Sequence, residues 1–495
     1  MTNLDYCDIL VDEYFIGGGN VMKKILFATS EAYPFLKTGG LGDVAYALPK
    51  ELNKNGYETR VICPLYQDIK DEYKNKMKKV CDFTVPVGWR NQYCGLLTAT
   101  LGNTVFYFID NEYYFKRGGA YGYYDDGERF AFFDRAILEA ILRMEDFEPE
   151  VIHCNDWHTG LVPVLMHHYY YGTKAFCKVV YSIHNLKFQG MFPKQILTEL
   201  LNLNDGYYAD DKLKFYDCIS FMKGGIVYSD FVNTVSPTYA EEIQGEYYGE
   251  GLDGVLRENN YKLRGILNGI DYEIYDPKTD KALCENYSSV KFDKKKINKT
   301  KLQEELGLAV SEDIPMIGII SRMTPQKGFD LIIAVLEQIM SNNVQLVMLG
   351  TGDAKYEEVF RYFAHKYPDR MSVNITFSDA LARKIYASSD LFLMPSLFEP
   401  CGLGQLMALR YGSIPIVRET GGLKDTITPY NEFTGKGNGF SFANFNAHEM
   451  LHVIEYALSQ YHNKDAWNKL VRNAMRSKFD WSQAAKNYID VYENL

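Results

Sequence analysis

The sequence lacks the features that mark membrane, secreted and nucleic-acid-binding proteins. No apolar run approaches the ~18 residues that a bilayer-spanning helix needs, and the acidic first twenty residues carry no basic segment of a secretory signal. The nine cysteines are odd in number and include no CxxC pair, which favours reduced thiols in a cytoplasmic protein over disulfides or a zinc site. The net charge of −11 argues against a nucleic-acid or anionic-membrane partner. An anionic substrate would therefore need a local cluster of lysine and arginine.

The start of the chain has an unusual composition. Gly17-Gly18-Gly19-Asn20 stands shortly before Met22, where the first apolar strand begins. Because glycine codons begin with GG, this segment has the composition of a translated ribosome-binding site. We hypothesise that the natural start is Met22 and that residues 1–21 are a leader; a short acidic tail is the alternative. N-terminal mass analysis of the native protein distinguishes the two.

Apolar β-branched segments alternate with amphipathic segments in both halves of the chain, and this pattern predicts strands and helices in turn. In the first half, strands are predicted at Lys24–Thr29, Arg60–Pro64, Val105–Ile109, Val151–Asn155, Val179–His184 and Phe231–Val235, and helices at Gly42–Asn55, Glu128–Met144, Leu161–Tyr171 and Cys218–Ser229. In the second half, strands are predicted at Met316–Ser321, Gln345–Leu349, Val373–Phe377, Leu391–Pro395 and Ile414–Val417, and helices at Phe329–Met340, Tyr356–Tyr367, Ala380–Ser388, Leu403–Tyr411 and Leu423–Thr428.

Strands that are apolar along their whole length indicate parallel sheets covered by helices on both faces. The predicted fold class is therefore α/β, with two doubly wound Rossmann-like domains that face each other across a cleft. The Lys- and Asn-rich sequence between Tyr261 and Thr300 interrupts the pattern, so we place the domains at 22–263 and 264–476. Open α/β sheets bind ligands beyond the carboxyl ends of their strands, and the loops at those ends form the candidate site.

The first predicted strand is followed by a glycine-rich loop, Lys37-Thr38-Gly39-Gly40-Leu41-Gly42-Asp43, which leads into a helix. Glycines let the backbone approach a phosphate, and a helix N-terminus offers free N–H groups to it. Lys37 adds a positive charge, and Asp43 can accept from a hydroxyl. The loop also matches the dinucleotide pattern G-x-G-x-x-A. Its long lead-in from Ser30 counts against NAD(P), as does the end of the second strand, Val61-Ile62-Cys63-Pro64, which has no acidic residue to hold a ribose. A purely structural glycine loop is a further alternative.

Two more strand ends in the first half carry polar side chains. The sequence His153-Cys154-Asn155-Asp156-Trp157-His158 ends one strand without any standard metal-ligand spacing, so we expect no metal site. Asp156 is predicted to project into the cleft and contact sugar hydroxyls, although it could instead cap the following helix. His184 ends another strand, where it is either a ligand-binding side chain or a satisfied core histidine.

The second half has corresponding loops after its strands. Arg322 and Lys327 share one loop directly after a predicted strand, and they predict a pyrophosphate site because arginine binds phosphate bidentately and lysine adds a compact charge. Glu399 follows another strand and has no ion-pair partner at helical spacing; its carboxylate either accepts from sugar hydroxyls or is simply solvated. The backbone N–H groups from Gly402 onward could meet a phosphate.

Together these motifs resemble the family of bacterial glycogen synthases and plant starch synthases, which are glycosyltransferases of the GT-B fold. The resemblance runs from Met22 to the C-terminus and is carried by Leu36-Lys37-Thr38-Gly39-Gly40-Leu41-Gly42-Asp43, Asp156-Trp157-His158, His184-Asn185-Leu186, Leu267-Asn268-Gly269, Ser321-Arg322, Gln326-Lys327-Gly328 and Phe398-Glu399-Pro400-Cys401-Gly402-Leu403. It implies ADP-glucose, or less often UDP-glucose, as donor, the non-reducing end of an α-1,4-glucan as acceptor, and no metal or other cofactor. It also implies that residues 477–495 cross back onto the first domain.

The resemblance implies two groups of site residues. The catalytic group holds the pyrophosphate and surrounds the transferred glucose, and it consists of Arg322, Lys327, Glu399, His184 and Asp156. The substrate-binding group contacts the rest of the donor and the glucose hydroxyls, and it consists of Lys37, Gly39, Gly40, Asp43, Asn268, Phe377, Cys401, Gly402 and Leu403.

Three positions depart from the family pattern. Gly404 stands where a threonine is usual, and Phe377 replaces the tyrosine that would stack on the adenine. Both changes bear on donor affinity or base preference. Met407 stands where the wider superfamily has a second glutamate, as the synthases allow, and this excludes a double displacement that relies on that carboxylate.

The predicted activity is that of a cytoplasmic, retaining hexosyltransferase. In the favoured front-face mechanism, the departing diphosphate is stabilised by Arg322 and Lys327 and takes the proton of the acceptor hydroxyl. The alternatives are a UDP-glucose-using or other GT-B transferase and a glucan phosphorylase, which would need a pyridoxal-phosphate lysine. From another class, a catalytically inactive glucan-binding protein is the rival prediction.

Overall fold

Two large sheets covered by helices form most of the computed structural model, which describes residues 23–495. The leader hypothesis for residues 1–21 concerns a segment outside these described residues. The first sheet has nine strands and the second has six, and a third sheet of three short strands lies beside the first. The α/β fold class predicted from the sequence is confirmed. No helix in residues 23–495 combines the length and the apolar character that crossing a membrane would require.

The first half contains twelve strands and nine α-helices within its described residues. The strands are β1 (Lys24–Ala28), β2 (Glu58–Pro64), β3 (Lys78–Val87), β4 (Arg90–Leu101), β5 (Thr104–Asp110), β6 (Val151–Asn155), β7 (Lys178–Ile183), β8 (Met191–Pro193), β9 (Lys214–Phe215), β10 (Cys218–Ser220), β11 (Phe231–Thr234) and β12 (Leu263–Gly265). The helices are α1 (Gly40–Lys54), α2 (Asp71–Lys74), α3 (Glu112–Phe115), α4 (Asp126–Ile141), α5 (Val162–Tyr169), α6 (Ile196–Glu199), α7 (Phe221–Tyr228), α8 (Pro237–Glu242) and α9 (Asp253–Glu258). The large sheet has the order β12-β11-β7-β6-β1-β2-β5-β4-β3, and β8-β10-β9 form the small sheet.

The second half continues with six strands, all parallel, in the order β15-β14-β13-β16-β17-β18. The strands are β13 (Met316–Ile320), β14 (Gln345–Leu349), β15 (Met371–Asn374), β16 (Leu391–Met394), β17 (Ile414–Arg418) and β18 (Phe440–Phe442). The helices are α10 (Lys295–Leu306), α11 (Phe329–Ser341), α12 (Ala354–Lys366), α13 (Asp379–Ser388), α14 (Gly404–Tyr411), α15 (Gly421–Thr426), α16 (Ala447–Tyr461), α17 (Lys464–Arg476) and α18 (Trp481–Glu493).

An antiparallel pair at the edge of the first sheet departs from the predicted all-parallel pattern. β3 pairs antiparallel with β4, and β4 pairs antiparallel with β5. β3 was not predicted from the sequence. Much of it is exposed, and it lacks the continuous apolar run by which the other strands were predicted. The predicted helix Cys218–Ser229 also begins late, because Cys218–Ser220 form β10 and the Ser220 hydroxyl then accepts from the N–H of Lys223 at the start of α7.

Each half packs around its own hydrophobic core, and the C-terminal helix α18 belongs to the first one. Trp481, Tyr488 and Tyr492 of α18 are buried in the first core together with residues of β1, β6 and β7. The Tyr492 hydroxyl lies 2.7 Å from Nδ1 of His153 on β6. Residues on β13, β14, β16 and β17 form the second core. The domain limits proposed from the sequence stay predictions.

The two halves contact each other through α8 and α15, which cap one another. At the start of α8, the N–H and the hydroxyl of Thr238 donate to the Asp425 carboxylate of α15 at 3.0 and 2.6 Å. At the start of α15, the N–H of Gly421 and the hydroxyl of Thr420 donate to Glu242 of α8 at 3.1 and 2.9 Å. Carboxylates satisfy the free N–H groups of a helix N-terminus and are stabilised there. The contact therefore joins the halves through two carboxylates, each bound at the N-terminus of the other half's helix.

Candidate active site

The predicted site residues lie on loops that leave the carboxyl ends of strands in both sheets. In the first half these loops follow β1, β6, β7 and β12, with Gly40 and Asp43 in the first turn of α1, and in the second half they follow β13, β15 and β16. Two of the loops touch across the cleft, since a Cβ atom on Gly40 would lie 3.4 Å from Cδ1 of Leu403. The two halves therefore bring their candidate residues to one shared site.

The glycine-rich loop is held by Glu31, a residue that the sequence analysis missed. Its buried carboxylate accepts hydrogen bonds from the N–H groups of Thr38 (2.8 Å), Gly39 (3.2 Å) and Gly42 (2.9 Å), and from the Thr38 hydroxyl. The prediction that the start of α1 leaves its amides free for phosphate is wrong for Gly39 and Gly42, because Glu31 already accepts from them. This carboxylate stands seven to eleven residues before its partners, a spacing with no recognisable sequence signal.

Lys37 and Asp43 form an ion pair at the entrance of α1. Nζ of Lys37 lies 2.8 Å from the Asp43 carboxylate. Burial raises the pKa of Asp43 even though Lys37 lowers it, and Asp379 at the start of α13 in the second half raises it further. The positive charge of Lys37, which the sequence analysis assigned to a phosphate, is thus paired with Asp43 of the same loop. The Asp43 carboxylate is close enough to the second half to be affected by Asp379.

Asp156 stands directly after β6 in a strained backbone conformation. Its φ of 56° and ψ of −177° lie in a region that is essentially restricted to glycine. Its Oδ1 accepts from the N–H groups of His184 (2.7 Å) and Asn185 (3.3 Å). The alternative that Asp156 caps the following helical turn is wrong, because its side chain makes no bond to that turn. Burial raises the pKa of Asp156 to about 7.

His184 is fixed in one tautomer by its neighbours. Its Nε2 lies 2.8 Å from Oδ1 of Asn155, whose Nδ2 donates to the carbonyls of Ala28 (2.9 Å) and His153 (3.1 Å). Oδ1 therefore accepts, Nε2 carries the hydrogen, and Nδ1 is left as an acceptor. Burial lowers the pKa of His184 to about 3, so the ring is neutral at physiological pH.

In the second half, Lys327 and Glu399 form an ion pair. Nζ of Lys327 lies 2.6 Å from Oε2 of Glu399, and the Ser396 hydroxyl donates to the same oxygen at 3.1 Å. Glu399 has no ion-pair partner at helical spacing, as the sequence indicated, because its partner is 72 residues away in sequence. The solvated alternative is wrong, since Glu399 is only 6% exposed. No hydrogen bond from residues 23–495 reaches its second oxygen, Oε1.

Arg322 differs from the other cations of the site. It is exposed, and its guanidinium has neither a hydrogen-bond nor an ion-pair partner within the described part of the chain. The loop that carries Arg322 and Lys327 ends at Gly328, whose φ is +76° and whose Cβ would lie 2.0 Å from the carbonyl oxygen of Pro395. Only glycine fits there, and this close approach places Lys327 beside the Glu399 loop.

The remaining candidate residues surround this pair. The buried Oδ1 of Asn268 has no partner among residues 23–495. Phe377 is 80% exposed. The sequence predicted that it ends a strand, but it lies on the loop after β15. Met407 lines a small cavity between the halves together with Asp43. Within residues 23–495, no group of three or more His, Cys, Asp or Glu side chains is placed to hold a metal ion.

Comparison with known proteins finds related chains over almost the whole length. A family model described as starch synthase catalytic domain matches residues 24–258, and one described as glycosyl transferases group 1 matches residues 301–475. The curated glycogen synthase of Clostridium novyi (strain NT) is 59% identical over 474 residues, which cover 95% of this chain and 99% of the relative. That of Clostridium acetobutylicum is 59% identical over 475 residues, covering 95% and 100% of the two chains.

Two solved structures have similar folds. The catalytic domain of starch synthase IV from Arabidopsis thaliana, bound to ADP and acarbose, has a TM-score of 0.90 and 31% identity, and the match covers 95% of this chain and 99% of that one. Sucrose-phosphate synthase from Thermosynechococcus elongatus has a TM-score of 0.61 and 16% identity, covering 96% and 99% of the two chains. The second likeness concerns the fold alone.

Proposed function

Since this chain belongs to the family of bacterial glycogen synthases and plant starch synthases, we propose that it transfers glucose from ADP-glucose to the non-reducing end of an α-1,4-glucan with retention of configuration. The enzyme class, a hexosyltransferase, follows from the family. The observation that carries the proposed substrate is Arg322, which is exposed and has no partner within residues 23–495, beside the Lys327–Glu399 pair at the strand ends of the second half. A cation without a protein partner in a cleft between two α/β domains suits a polyanionic ligand.

The donor diphosphate is proposed to bind Arg322 and Lys327. Arg322 is free to offer its planar set of N–H donors to phosphate oxygens without first breaking a bond. Lys327 has three donors and uses one on Glu399, so it can bind a phosphate while keeping that contact. The backbone N–H groups at Cys401, Gly402 and Leu403 precede α14 and favour the negative charge further.

The glucosyl group is proposed to lie between Glu399 and the first-half residues Asp156 and His184. Three acceptors are available there for sugar hydroxyls: Oε1 of Glu399, the unpaired Oδ1 of Asn268 and Nδ1 of His184. Because a buried polar atom without a partner is rare and costly, the Asn268 oxygen supports a polar ligand at this point. His184, being neutral, serves as a hydrogen-bond partner and not as a proton donor in its charged form.

The other side of the donor is proposed to face the glycine-rich loop and Phe377. Lys37 and Asp43 offer a donor and an acceptor held 2.8 Å apart, and Gly39 and Gly40 let the backbone come close to the nucleotide sugar. The exposed ring of Phe377 can stack on the adenine. Adenine is the base that we propose, although a ring without the phenol would stack on uracil as well.

The proposed reaction proceeds on the front face of the sugar. The bond between the anomeric carbon and the donor phosphate breaks, the new bond to the acceptor oxygen forms on the same face, and the departing phosphate oxygen takes the acceptor's proton. Arg322 and Lys327 stabilise the negative charge that develops on the leaving group. Met407 stands eight residues after Glu399, so a covalent intermediate on a glutamate at that position is not available.

One assay tests the proposed function against its rivals. Purified protein is given ADP-glucose or UDP-glucose, with and without glycogen, and the released nucleoside diphosphate is measured. We expect ADP release that requires glucan and is faster than UDP release. Release of glucose 1-phosphate from glucan and phosphate would identify a phosphorylase, while glucan binding without any release would identify an inactive binding protein. We also propose that the enzyme acts in the cytoplasm, where a nucleotide sugar is available.

A further inference from the structure

Asn155, the last residue of β6, joins the ends of three neighbouring strands. Its side chain is fully buried, and its Nδ2 donates to the carbonyl oxygens of Ala28 at the end of β1 (2.9 Å) and of His153 on β6 (3.1 Å). Its Oδ1 lies 2.8 Å from Nε2 of His184, which directly follows β7. The amide therefore uses both of its N–H donors inside the protein and offers its oxygen to His184.

The two carbonyl oxygens fix the direction of this amide. A carbonyl can only accept, so the NH₂ group must face Ala28 and His153, and a flipped amide would set Oδ1 against two acceptors. The backbone is held as well, because the N–H of Asn155 donates to the Thr159 hydroxyl at 2.6 Å and its carbonyl accepts from that hydroxyl at 3.0 Å. Oδ1 therefore has no direction open to it except toward His184.

This arrangement leaves one role for the other ring nitrogen of His184. With the hydrogen on Nε2, Nδ1 can only accept, and it has no hydrogen-bond partner within residues 23–495. The residue is partly exposed. A ligand bound at Nδ1 must therefore supply a hydrogen, as a sugar hydroxyl does, whereas an ionised phosphate oxygen or the ether oxygen of a glycosidic bond has none to supply.

No charged group bonds to the His184 ring in the part of the chain that the structure describes. Asp156 accepts from the backbone N–H of His184 at 2.7 Å and not from the ring. His153 on the adjacent strand is neutral, since burial and the nearby His184 lower its pKa to about 3. On α8, the Tyr239 hydroxyl accepts from the backbone N–H two residues after His184 at 3.3 Å. Asn155 is thus the side chain that sets the state of the ring.

We propose that Asn155 is a positioning residue of the glucosyl site: it holds His184 as an acceptor at Nδ1, so that the group recognised there is a sugar hydroxyl that donates its hydrogen. The inference rests on the proposed function, in which the glucosyl group lies beside His184. The observation that carries it is the pair of carbonyl oxygens on Nδ2. An aspartate at this position would add a charge that stabilises a doubly protonated ring, and that ring would donate at Nδ1 instead of accepting.

The first test reads the two ring nitrogens by ¹⁵N NMR of histidine-labelled protein, with His184→Gln to assign the signals. In the wild type we expect hydrogen on Nε2 and none on Nδ1 between about pH 5 and pH 8. In Asn155→Asp, His184 should gain a hydrogen on Nδ1 within this range, because a carboxylate beside the ring raises its pKa. Asn155→Leu removes the acceptor for Nε2–H, so its spectrum should show a mixture of the two neutral forms.

Asn438→Asp is the matched control. Asn438 is a buried asparagine of the second half whose Oδ1 accepts from the N–H of Thr428 (2.7 Å) and whose Nδ2 donates to the carbonyl of Thr426 (3.0 Å). It bonds to no histidine within the described residues, so the substitution makes the same chemical change away from the site. The His184 signals should match those of the wild type at every pH, whatever the loss of stability.

The second test measures the KM for ADP-glucose against pH. In Asn155→Asp the KM should rise about tenfold as His184 becomes charged, since the ring then loses a hydrogen bond from the sugar, and it should return toward the wild-type value at higher pH. Asn155→Leu should raise the KM at every pH. In Asn438→Asp, as in any variant whose defect is confined to folding, the unfolding midpoint should fall while the KM keeps the pH profile of the wild type.

Three results would overturn the inference: hydrogen on Nδ1 of His184 in the wild type, His184 signals that are the same in the wild type and in both Asn155 variants, or shifted signals with an unchanged KM. The first can be read even if neither variant folds. The spectra need no turnover, so wild-type protein that shows the expected signals but releases no ADP would contradict the proposed function and not the assignment of the ring hydrogen to Nε2.

Discussion

The glycine-rich loop of the first half and the Arg322 loop of the second half face the same cleft, but they differ in whether their charged groups have protein partners. In the first loop, Lys37 is paired with Asp43, and Glu31 accepts the hydrogen bonds of the backbone amides. In the second loop, Arg322 is exposed and unpaired within the described residues. Lys327 is paired, but with a residue of the neighbouring loop that itself faces the cleft.

The difference indicates that the two halves have different roles in binding the donor and in catalysis. A loop whose charges and amides are already satisfied has a fixed shape, and it can position a ligand without contributing much net attraction. A loop with an unpaired guanidinium supplies the attraction and, during the reaction, the stabilisation of a departing anion. We therefore expect the second half to control turnover and the first half to control the geometry in which the donor is held.

The largest effect is expected from removing the second-half cations. Arg322→Ala and Lys327→Ala should each lower kcat by about 10²–10³, the usual effect of removing one preorganised group that stabilises developing charge. Glucan-dependent ADP release measures kcat. The matched control is Arg361→Ala, because Arg361 on α12 is exposed and pairs with Glu357 one helical turn away.

Arg322→Ala should keep the wild-type unfolding midpoint, since its side chain makes no hydrogen bond or ion pair within the described residues. Lys327→Ala should lower the midpoint, because it leaves the buried Glu399 carboxylate without its ion-pair partner. Turnover close to that of Arg361→Ala in both variants would remove the contrast between the two loops. A loss that appears only in KM would place the cations in ground-state binding instead of in leaving-group stabilisation.

A smaller effect is expected from loosening the first-half loop. Glu31→Gln replaces one of two acceptor oxygens by an NH₂ group that faces other donors. We expect kcat/KM to fall about tenfold and the free energy of unfolding to fall by about 1–3 kcal/mol, the usual cost of unsatisfied buried hydrogen-bonding groups. Urea denaturation and steady-state kinetics measure the two quantities.

The control for Glu31 is Glu51→Gln on the outer part of α1, where Glu51 makes only a 3.5 Å contact with Lys54 and a near-normal enzyme is expected. If Glu31→Gln lost stability but kept full kcat/KM, the glycine-rich loop would be held for folding alone. The proposed positioning role of the first half would then be wrong.

The fold was predictable because its signals are local. Strands such as Val151–Asn155 and Gln345–Leu349 contain short apolar runs and are buried at every residue, and they occur at the predicted bounds. β3 was missed because it begins with exposed residues, among them Lys78 and Lys79, so it shows no such run. Helix α18 could be placed on the first core only through the family resemblance, because its contacts with His153 join residues 339 positions apart.

The site was predictable only as a set of loops. Strand-end position identified Asp156, Arg322 and Glu399, but spacing along the chain cannot reveal which charges meet. The Lys327–Glu399 pair joins two loops that are brought together by the packing of β13 against β16. Glu31 was missed for the same reason, since its partners are defined by the path of the loop and not by a repeat.

The smallest expected effect concerns Asp156, the strained residue of the first half. Its folded-state pKa of about 7 lies above the ordinary value of 3.8, so between these two values the folded protein binds a proton that the unfolded chain has released. The contribution of Asp156 to the free energy of unfolding therefore falls as pH rises through this window and is constant above it. Asp156→Asn lacks this titration and keeps an oxygen that can accept from His184 and Asn185.

We expect the stability of Asp156→Asn relative to the wild type to increase by about 1–2 kcal/mol between pH 5 and pH 8, measured by urea denaturation at each pH. A difference that does not change with pH would mean that the carboxyl group is ionised throughout, with its charge satisfied by the two backbone N–H groups that it accepts from. In that case the first half would hold a permanent negative charge beside the proposed glucose position, and its role would extend from positioning the donor to stabilising the positive charge that develops on the sugar as the diphosphate leaves.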